Sequence, residues 1–302
     1  MKTTVILVPV FNEEENIDLF CKQILRINLA DNSQIEVLFV DDGSDDKTWD
    51  LIKKSNHKNE IFNGLKLVKN FGKDTSIKVG LNYIKDKNYD NLIIMDGDMQ
   101  HPISSIDDLI KKSNGKFIVQ GLRSKTNSSI YRKIFNQFFY FFVNSLSDTK
   151  IKNNSTEFCL IPKKYIKFIS SELEFDGNIK ITLSRLLNKK YNLFDSPERE
   201  KGESKFSLKK LIFLGIELVI KKASTPLKFI IILITFLMLI IFLIITYYMN
   251  YETGNKLFFY ILILNTSIMV FTLIYLFYIS MRIIYLPKYN YDYSSIIEEK
   301  II

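Results

Sequence analysis

The chain has 302 residues, a formal net charge of +8 and 47% hydrophobic residues, which allows one large domain or one medium domain with appendages. Basic and acidic residues are interleaved through most of the N-terminal region, and lysines collect beside apolar C-terminal segments, so the positive charge does not indicate a nucleic-acid-binding protein. The two cysteines and two histidines lack metal-ligand spacing, which argues against a zinc site and favours a reduced, cytosolic setting.

The first 120 residues alternate between strand-like and helix-like stretches. The predicted strands are Thr4–Val10, Glu36–Val40, Leu65–Val68, Leu92–Met95 and Phe117–Gln120. The predicted helices begin near Asn12–Asn16, cover Asp45–Lys54 and follow Asn70–Asp74. Alternation of this kind predicts an α/β fold, with a mostly parallel sheet that is covered by helices on both faces.

Polar residues follow each of the predicted strands. The clusters are Asn12-Glu13, Asp41-Asp42, Asn70–Lys73, Asp96–Gln100 and Gly121–Arg123. Ligands of such sheets bind beyond the carboxyl ends of the strands. Five loops at one edge would build a single crevice with both acidic and basic groups, so the sequence predicts a binding site there.

The fourth strand runs into Asp96-Gly97-Asp98. On a continuing strand, residues two apart project to the same side, so Asp96 and Asp98 would approach one cation. Mg²⁺ or Mn²⁺ held by two carboxylates completes its shell with water and phosphates, which suits an enzyme that binds a nucleotide diphosphate. The alternative is a solvated turn, because Asp-Gly is frequent in turns.

The C-terminal third differs in kind. Residues 229–249 and 257–281 are uncharged runs rich in Ile, Leu and Phe, and each is long enough to cross a hydrocarbon core of roughly 30 Å. The short link between them predicts an antiparallel transmembrane hairpin. Lysines precede the first run, and Arg282 and Lys288 follow the second, which predicts a multi-pass cell-membrane protein with both termini in the cytoplasm.

Residues 206–222 have the pattern of an amphipathic helix with lysines on its polar face. Such a helix suits the headgroup region of a membrane, and the alternative is a helix packed on the soluble domain. The predicted organisation is a cytoplasmic catalytic domain of residues 1–205, an interfacial helix and junction of residues 206–227, a transmembrane hairpin of residues 228–286 and a cytoplasmic tail of residues 287–302.

Five motifs along the chain resemble those of the family-2 glycosyltransferases, in particular the polyprenyl-phosphate branch typified by dolichol-phosphate mannose synthase. They are Val8-Pro9-Val10-Phe11-Asn12-Glu13, Val40-Asp41-Asp42-Gly43-Ser44, Asn70-Phe71-Gly72-Lys73, Asp96-Gly97-Asp98-Met99-Gln100 and the segment from Arg199 to Lys205. The matches run in order from residue 5 to about residue 228. The resemblance implies a GT-A type fold, a nucleotide sugar donor, a divalent cation (Mg²⁺ or Mn²⁺) and a lipid-phosphate acceptor.

Roles for individual residues accompany the resemblance. The nucleotide-sugar-binding residues would be Pro9, Phe11, Glu13, Asp41, Asp42, Lys73 and Asp96. The metal ligands would be Asp96, Asp98 and Gln100. The catalytic residues would be Asp98, Glu157, Arg199 and Lys205. The acceptor phosphate would be held by Arg123, Arg132, Lys133, Arg199 and Lys205.

Some positions depart from the family pattern or stay open. Phe11 stands where tyrosine is usual, and Cys159 stands where the family commonly has arginine. Glu157 would orient the sugar or help hold the metal-bound complex, and a structural hydrogen bond is the alternative. His101 is interpreted as a simple loop residue.

The sequence therefore predicts a membrane-bound inverting transferase that moves a hexose from a nucleotide diphosphate sugar, with UDP favoured, to undecaprenyl or another polyprenyl phosphate for cell-envelope glycosylation. One alternative is a glycolipid synthase that acts on the hydroxyl of diacylglycerol, for which Glu157 or an aspartate would serve as the base. Another is a catalytically silent membrane scaffold. Pairing of the tail, residues 289–302, with a neighbouring subunit would make a homo-oligomer.

Overall fold

The computed structural model describes residues 2–29, 33–124, 151–184, 186, 189–195 and 293–301, together with isolated helical residues between Phe236 and Val270. The chain divides into two compact units. The first comprises residues 1–137, 150–204 and 289–302, and the second comprises residues 138–149 and 205–288. Nearly all described residues belong to the first unit.

An eight-stranded mixed sheet forms the centre of the first unit, in the order β7-β5-β6-β4-β1-β2-β3-β8. The strands are β1 (Thr3–Val10), β2 (Gln34–Asp41), β3 (Phe62–Leu67), β4 (Asn91–Ile94), β5 (Ile118–Arg123), β6 (Ser155–Pro162), β7 (Lys189–Phe194) and β8 (Ile297–Ile301). Strands β1 to β4 are mutually parallel, β6 is antiparallel to both β4 and β5, and β8 is antiparallel to β3.

Helices cover both faces of this sheet. They are α1 (Ile17–Ile24), α2 (Thr48–Lys58), α3 (Lys73–Ile84), α4 (Ser105–Ser113), α5 (Lys163–Asp176) and α6 (Ile179–Ser184). Strand β4 is buried at every position, as a strand covered on both sides should be. Side chains of β1 alternate between two apolar cores, with Ile6 and Val8 in one and Val5 and Leu7 in the other. The predicted α/β fold with a mostly parallel sheet is confirmed.

The tail returns to the sheet of its own chain. Strand β8 pairs with β3, and a 3₁₀ turn, Tyr293–Ile296, precedes it. Glu299 Oε2 accepts a 2.6 Å hydrogen bond from the Trp49 indole, and the Tyr293 hydroxyl donates to Glu174 at 2.5 Å. The described part of the tail thus makes backbone hydrogen bonds with β3 of the same chain. Pairing of the tail with a neighbouring subunit stays a prediction.

The predicted membrane segments fall mostly outside the described residues. These segments are the amphipathic helix at 206–222 and the apolar runs at 229–249 and 257–281. No helix within the part of the chain that the structure describes is long and apolar enough to cross a bilayer.

Candidate active site

The ends of several strands meet at one edge of the sheet. Because β1 to β4 are parallel, their carboxyl ends lie together, and β5 has the same direction since both it and β4 run antiparallel to β6. For the same reason β6 begins at this edge, which brings Glu157 beside the loops that follow β1 to β5. The predicted convergence is confirmed for the loops after β1 to β4, whereas Gly121–Arg123, predicted as a fifth loop, forms the end of β5 itself. Strand β6 adds Glu157 from far along the chain.

The loops after β1 and β2 are joined through Ser44. The Ser44 N–H donates to Asp41 Oδ1 at 3.0 Å, and its hydroxyl donates to the same oxygen. The Asn12 N–H donates to Ser44 Oγ at 2.9 Å, and Asn12 has a φ of +53°. Burial raises the pKa of Asp41, whose other oxygen, Oδ2, is buried and accepts no hydrogen bond within the described residues. A buried oxygen of this kind is suited to a ligand donor.

The other predicted residues of the first loop have mixed surroundings. Pro9 is buried in β1, and Phe11 is partly exposed. Glu13 Oε2 accepts a 2.6 Å hydrogen bond from Asn16 Nδ2, and the Glu13 N–H donates to Thr48 Oγ1 at 2.8 Å. Glu13 therefore ties the start of α1 to the start of α2.

Asp42 holds the loop before α3. Its two oxygens accept 2.8 Å hydrogen bonds from the backbone N–H groups of Phe71 and Gly72. Burial raises the pKa of Asp42, and these two hydrogen bonds lower it. Sequence reasoning placed Asp42 among the nucleotide-binding residues. Here its carboxylate positions the backbone that leads into Lys73.

Lys73 joins two carboxylates from distant strands. It is the first residue of α3, and its Nζ lies 2.5 Å from Asp96 Oδ1 and also contacts Glu157 Oε2. Burial raises the pKa of Asp96, but the charge and hydrogen bond of Lys73, together with His101 and Arg123, lower it to about 2. Burial likewise lowers the pKa of Lys73, and Asp96 and Glu157 together raise it above its ordinary value.

The sequence predicts that Asp96 and Asp98 lie on a continuation of β4, but the structure has a turn there. The strand ends at Ile94, and residues 97–99 form a turn in which Met99 has a φ of +62°. Asp98 Oδ1 accepts a 3.1 Å hydrogen bond from the Gln100 N–H, which closes this turn. The strand argument for Asp96 and Asp98 is therefore wrong, because Asp-Gly starts a turn before a second alternation can form.

Gln100 and Arg123 contact each other at the same edge. Arg123 Nη2 donates a 2.9 Å hydrogen bond to Gln100 Oε1, the oxygen predicted to bind the metal. The other predicted phosphate-binding cations lie outside the described residues, namely Arg132, Lys133, Arg199 and Lys205. Cys159, which replaces the arginine common in the family, is fully buried in β6. Of the five residues predicted to bind the acceptor phosphate, Arg123 is therefore the one that lies among the described residues of the site.

Carboxylate and amide oxygens at this edge fit a divalent cation. Asp96, Asp98 and Gln100 supply oxygen ligands, which Mg²⁺ and Mn²⁺ prefer, and the ion would complete its shell with water and donor phosphates. Among the residues that the structure describes, no group of three or more His, Cys, Asp or Glu side chains is placed to hold an ion by itself. Asp96, Asp98 and Gln100 together fit a cation whose other ligands are water and substrate oxygens.

His101 anchors the acidic loop, a role that sequence reasoning missed. Its Nδ1 accepts a 3.0 Å hydrogen bond from the Asp96 N–H, and its ring stacks on Phe158 with centroids 5.0 Å apart. The side chain is 2% exposed, and burial lowers its pKa, which favours the neutral ring with its proton on Nε2. The partner Phe158 lies far along the chain, so no local pattern pointed to this contact.

Replacement of His101 by phenylalanine should lower kcat/KM by about ten- to a hundredfold, because a small displacement of ligand-bearing groups has effects of that order. Phenylalanine keeps the ring between Phe158 and Phe194 but removes the acceptor for the Asp96 N–H. Steady-state kinetics of the purified variant would measure the change. Replacement by asparagine, whose side-chain oxygen can accept the same hydrogen bond, is the control and should retain more activity. Equal losses in both variants would contradict the role of the acceptor.

Comparisons with known proteins agree with the motifs. Residues 5–169 match the family model described as glycosyl transferase family 2. The chain is 30% identical over 233 residues to an uncharacterised glycosyltransferase of Bacillus subtilis (strain 168), YkoT, which covers 74% of this chain and 68% of that protein. It is 31% identical over 227 residues to a prophage bactoprenol glucosyl transferase homologue of Escherichia coli (strain K12), covering 74% and 73% of the two chains. Bactoprenol glucosyl transferase of Shigella phage SfV is similar to the same extent.

Proposed function

The chain belongs to glycosyltransferase family 2, and we propose that it transfers a hexose from a nucleotide diphosphate sugar, with UDP as the favoured nucleotide, to a polyprenyl phosphate such as undecaprenyl phosphate. The observation that carries this proposal is the meeting of Asp41, Lys73, Asp96, the Asp98 turn and Glu157 at the carboxyl edge of one sheet. Relatives named bactoprenol glucosyl transferases support the choice of a polyprenyl acceptor.

Donor binding would use two groups of residues. Pro9, Phe11, Glu13 and Asp41 would contact the nucleoside, and the buried Oδ2 of Asp41 would accept a hydrogen bond from a nucleoside N–H or O–H. Asp96, Asp98 and Gln100 would hold a divalent cation beside the diphosphate. Such a cation, when bound, neutralises charge that develops on the leaving diphosphate. Asp42 and His101 would keep the two flanking loops in place.

The acceptor phosphate would need positioning more than activation. A phosphate monoester has a second pKa near 6, so it is already an anionic nucleophile at neutral pH. Arg123 lies at the site, and the planar guanidinium of arginine offers several N–H donors to phosphate oxygens, which suits it to hold this phosphate. Arg199 and Lys205 remain proposed partners for the phosphate because of the motif that they share with the family.

A hydroxyl acceptor is the second candidate. Diacylglycerol would require a general base, and Glu157 is the carboxylate at the site that is proposed for this role. Glu157 Oε2 is in contact with the Lys73 ammonium, so this oxygen would have to leave an ion pair before it accepts a proton. A phosphate acceptor needs no such base, and the relatives named bactoprenol glucosyl transferases support it over diacylglycerol.

Attachment to the membrane is part of the proposal. We propose that residues 229–249 and 257–281 span the cell membrane, with residues 206–222 at its surface and the catalytic domain in the cytoplasm. Described helical residues in the first run are large and apolar, yet exposed; they include Phe236, Leu237 and Ile244. Apolar side chains in contact with lipid tails rather than water would account for such exposure.

A donor and acceptor screen tests the proposed function. Purified full-length protein is mixed with labelled nucleotide sugars and Mn²⁺, and either undecaprenyl phosphate or diacylglycerol is added. We expect label in the lipid phase with undecaprenyl phosphate, loss of transfer with EDTA, and recovery when excess Mn²⁺ is restored. Transfer to diacylglycerol alone would support the glycolipid synthase. Absence of both transfer and donor hydrolysis would support the silent scaffold.

A further inference from the structure

Lys73 lies where the acidic residues of the site would otherwise face one another without a counter-charge. Its Nζ contacts one oxygen of Asp96 and one oxygen of Glu157, and these side chains are 23% and 21% exposed. The lysine side chain itself is 40% exposed. Exposure of this degree leaves the lysine a path out of the pair toward a ligand in the crevice.

A third carboxylate increases the negative charge around Lys73. Asp74 follows it in α3, and both Asp74 oxygens accept hydrogen bonds from Asn178 Nδ2, at 3.0 and 3.1 Å. Burial, followed by the charge of Glu157, raises the pKa of Asp74 to about 6. Asp74 therefore adds a carboxyl group near Glu157, while Asp96 and Glu157 are the two carboxylates that contact the Lys73 ammonium.

The position of Lys73 is fixed by backbone contacts. The loop before it is held by the two hydrogen bonds to Asp42, and its immediate neighbour Gly72 has a φ of +93°. The backbone at Lys73 is therefore fixed by this loop and by the first turn of α3. The fixed backbone holds the start of the lysine side chain close to Asp96.

A divalent cation that binds Asp96 must compete with this ammonium. Two cations on one carboxylate repel each other, and the repulsion is larger in a partly buried site than in water. The diphosphate of a donor changes the balance, since its negative oxygens can accept the displaced ammonium as a hydrogen-bond donor. A cation that arrives together with the diphosphate therefore meets less resistance than a free cation.

We propose that Lys73 is an internal counter-ion that occupies Asp96 and Glu157 in the empty site and moves to the diphosphate when a cation–nucleotide complex binds. Lys73 thereby weakens binding of free metal and couples metal binding to donor binding. This inference rests on the proposed function only in that the site takes a divalent cation with a nucleoside diphosphate. It makes Lys73 a positioning residue whose effect is visible before any sugar is transferred.

Binding of Mn²⁺ tests the inference without an acceptor lipid. Free Mn²⁺ is measured by electron paramagnetic resonance in titrations of the full-length protein, with and without UDP. In the Lys73→Met variant we expect free Mn²⁺ to bind at least about fivefold more tightly than in the unmodified protein, and UDP to enhance Mn²⁺ binding less. Lys73→Arg keeps the positive charge, although its guanidinium is larger, so free Mn²⁺ should bind it more weakly than it binds Lys73→Met.

Lys69→Met is the matched control, because it removes the same charge from the preceding loop, where Lys69 lies over the Phe71 ring. It should leave Mn²⁺ binding unchanged. A second measurement protects the test against poor folding of Lys73→Met. Mn²⁺ should raise the Tm of Lys73→Gln more than that of the unmodified protein, since the ion replaces the lost counter-charge.

The outcomes separate two failures. If the unmodified protein binds no Mn²⁺ in the presence of UDP, the proposed function itself fails. If it binds Mn²⁺ with UDP, but free Mn²⁺ binds Lys73→Met no more tightly than the unmodified protein, the counter-ion inference is wrong and the proposed function stands.

Discussion

Replacement of Asp98 by alanine should reduce sugar transfer by about a thousandfold while the protein remains folded. Loss of one group that stabilises charge on the leaving diphosphate typically has an effect of 10²- to 10³-fold or more. Asp98 lies in a partly exposed turn and not in either apolar core, so its removal leaves the sheet intact. Turnover of the purified variant and its Tm are the two measurements.

Two control variants make the result specific to the cation. Asp98→Asn keeps an oxygen that can accept the Gln100 N–H, so it preserves the turn and removes the charge. It should be nearly as inactive as Asp98→Ala. Asp108→Ala removes the same charge from an exposed position on α4 and should be fully active. Activity of Asp98→Asn close to that of the unmodified protein would show that the turn, and not the carboxylate, is required.

Replacement of Gly43 by alanine should lower the free energy of unfolding by about 3–5 kcal/mol. Gly43 has a φ of +70°, and an added Cβ would lie 2.5 Å from the Lys69 carbonyl carbon. That atom belongs to the backbone, so relief of the clash must move the loop that Asp42 holds and that leads into Lys73. The same shift of the loop would displace Lys73, so activity should fall together with stability.

Gly115→Ala is the control that separates the effect of the steric clash from the effect of the positive φ. Gly115 also has a positive φ, of +65°, but an added Cβ would meet no atom within 4 Å. Its replacement should cost only about 1–2 kcal/mol, the usual penalty for a left-handed residue with a side chain. Thermal unfolding followed by the fluorescence of Trp49, the only tryptophan, would measure both variants. Equal losses in the two variants would contradict the importance of the close approach.

Local signals predicted the first four strands and the loops after them. Each of these strands is an apolar run that ends at Asp, Asn or Gly. The run and the residues that end it are close in the sequence, so both can be recognised without knowledge of the fold. Helix starts were less accurate. The predicted helix at Asp45 begins at Thr48, because Asp46 Oδ1 accepts the Thr48 N–H at 2.9 Å and forms a turn first.

Long-range pairing could not be predicted in the same way. The contact between Lys73 and Glu157 exists because β6 inserts antiparallel between β4 and β5, a topology that no local pattern specifies. The packing of His101 against Phe158 depends on the same insertion. The sequence therefore predicted the acidic loops and Lys73 as parts of the site, but not the pairing of Lys73 with Asp96 and Glu157 or the contacts of His101.

The eighth strand has a consequence for how the protein is made. Residues 297–301 pair with β3, so the sheet stays incomplete during synthesis until these residues have left the ribosome. Until then the outer edge of β3 lacks its neighbour, and Trp49 lacks the carboxylate of Glu299. Closure of this edge of the sheet therefore comes after the synthesis of all the other described strands.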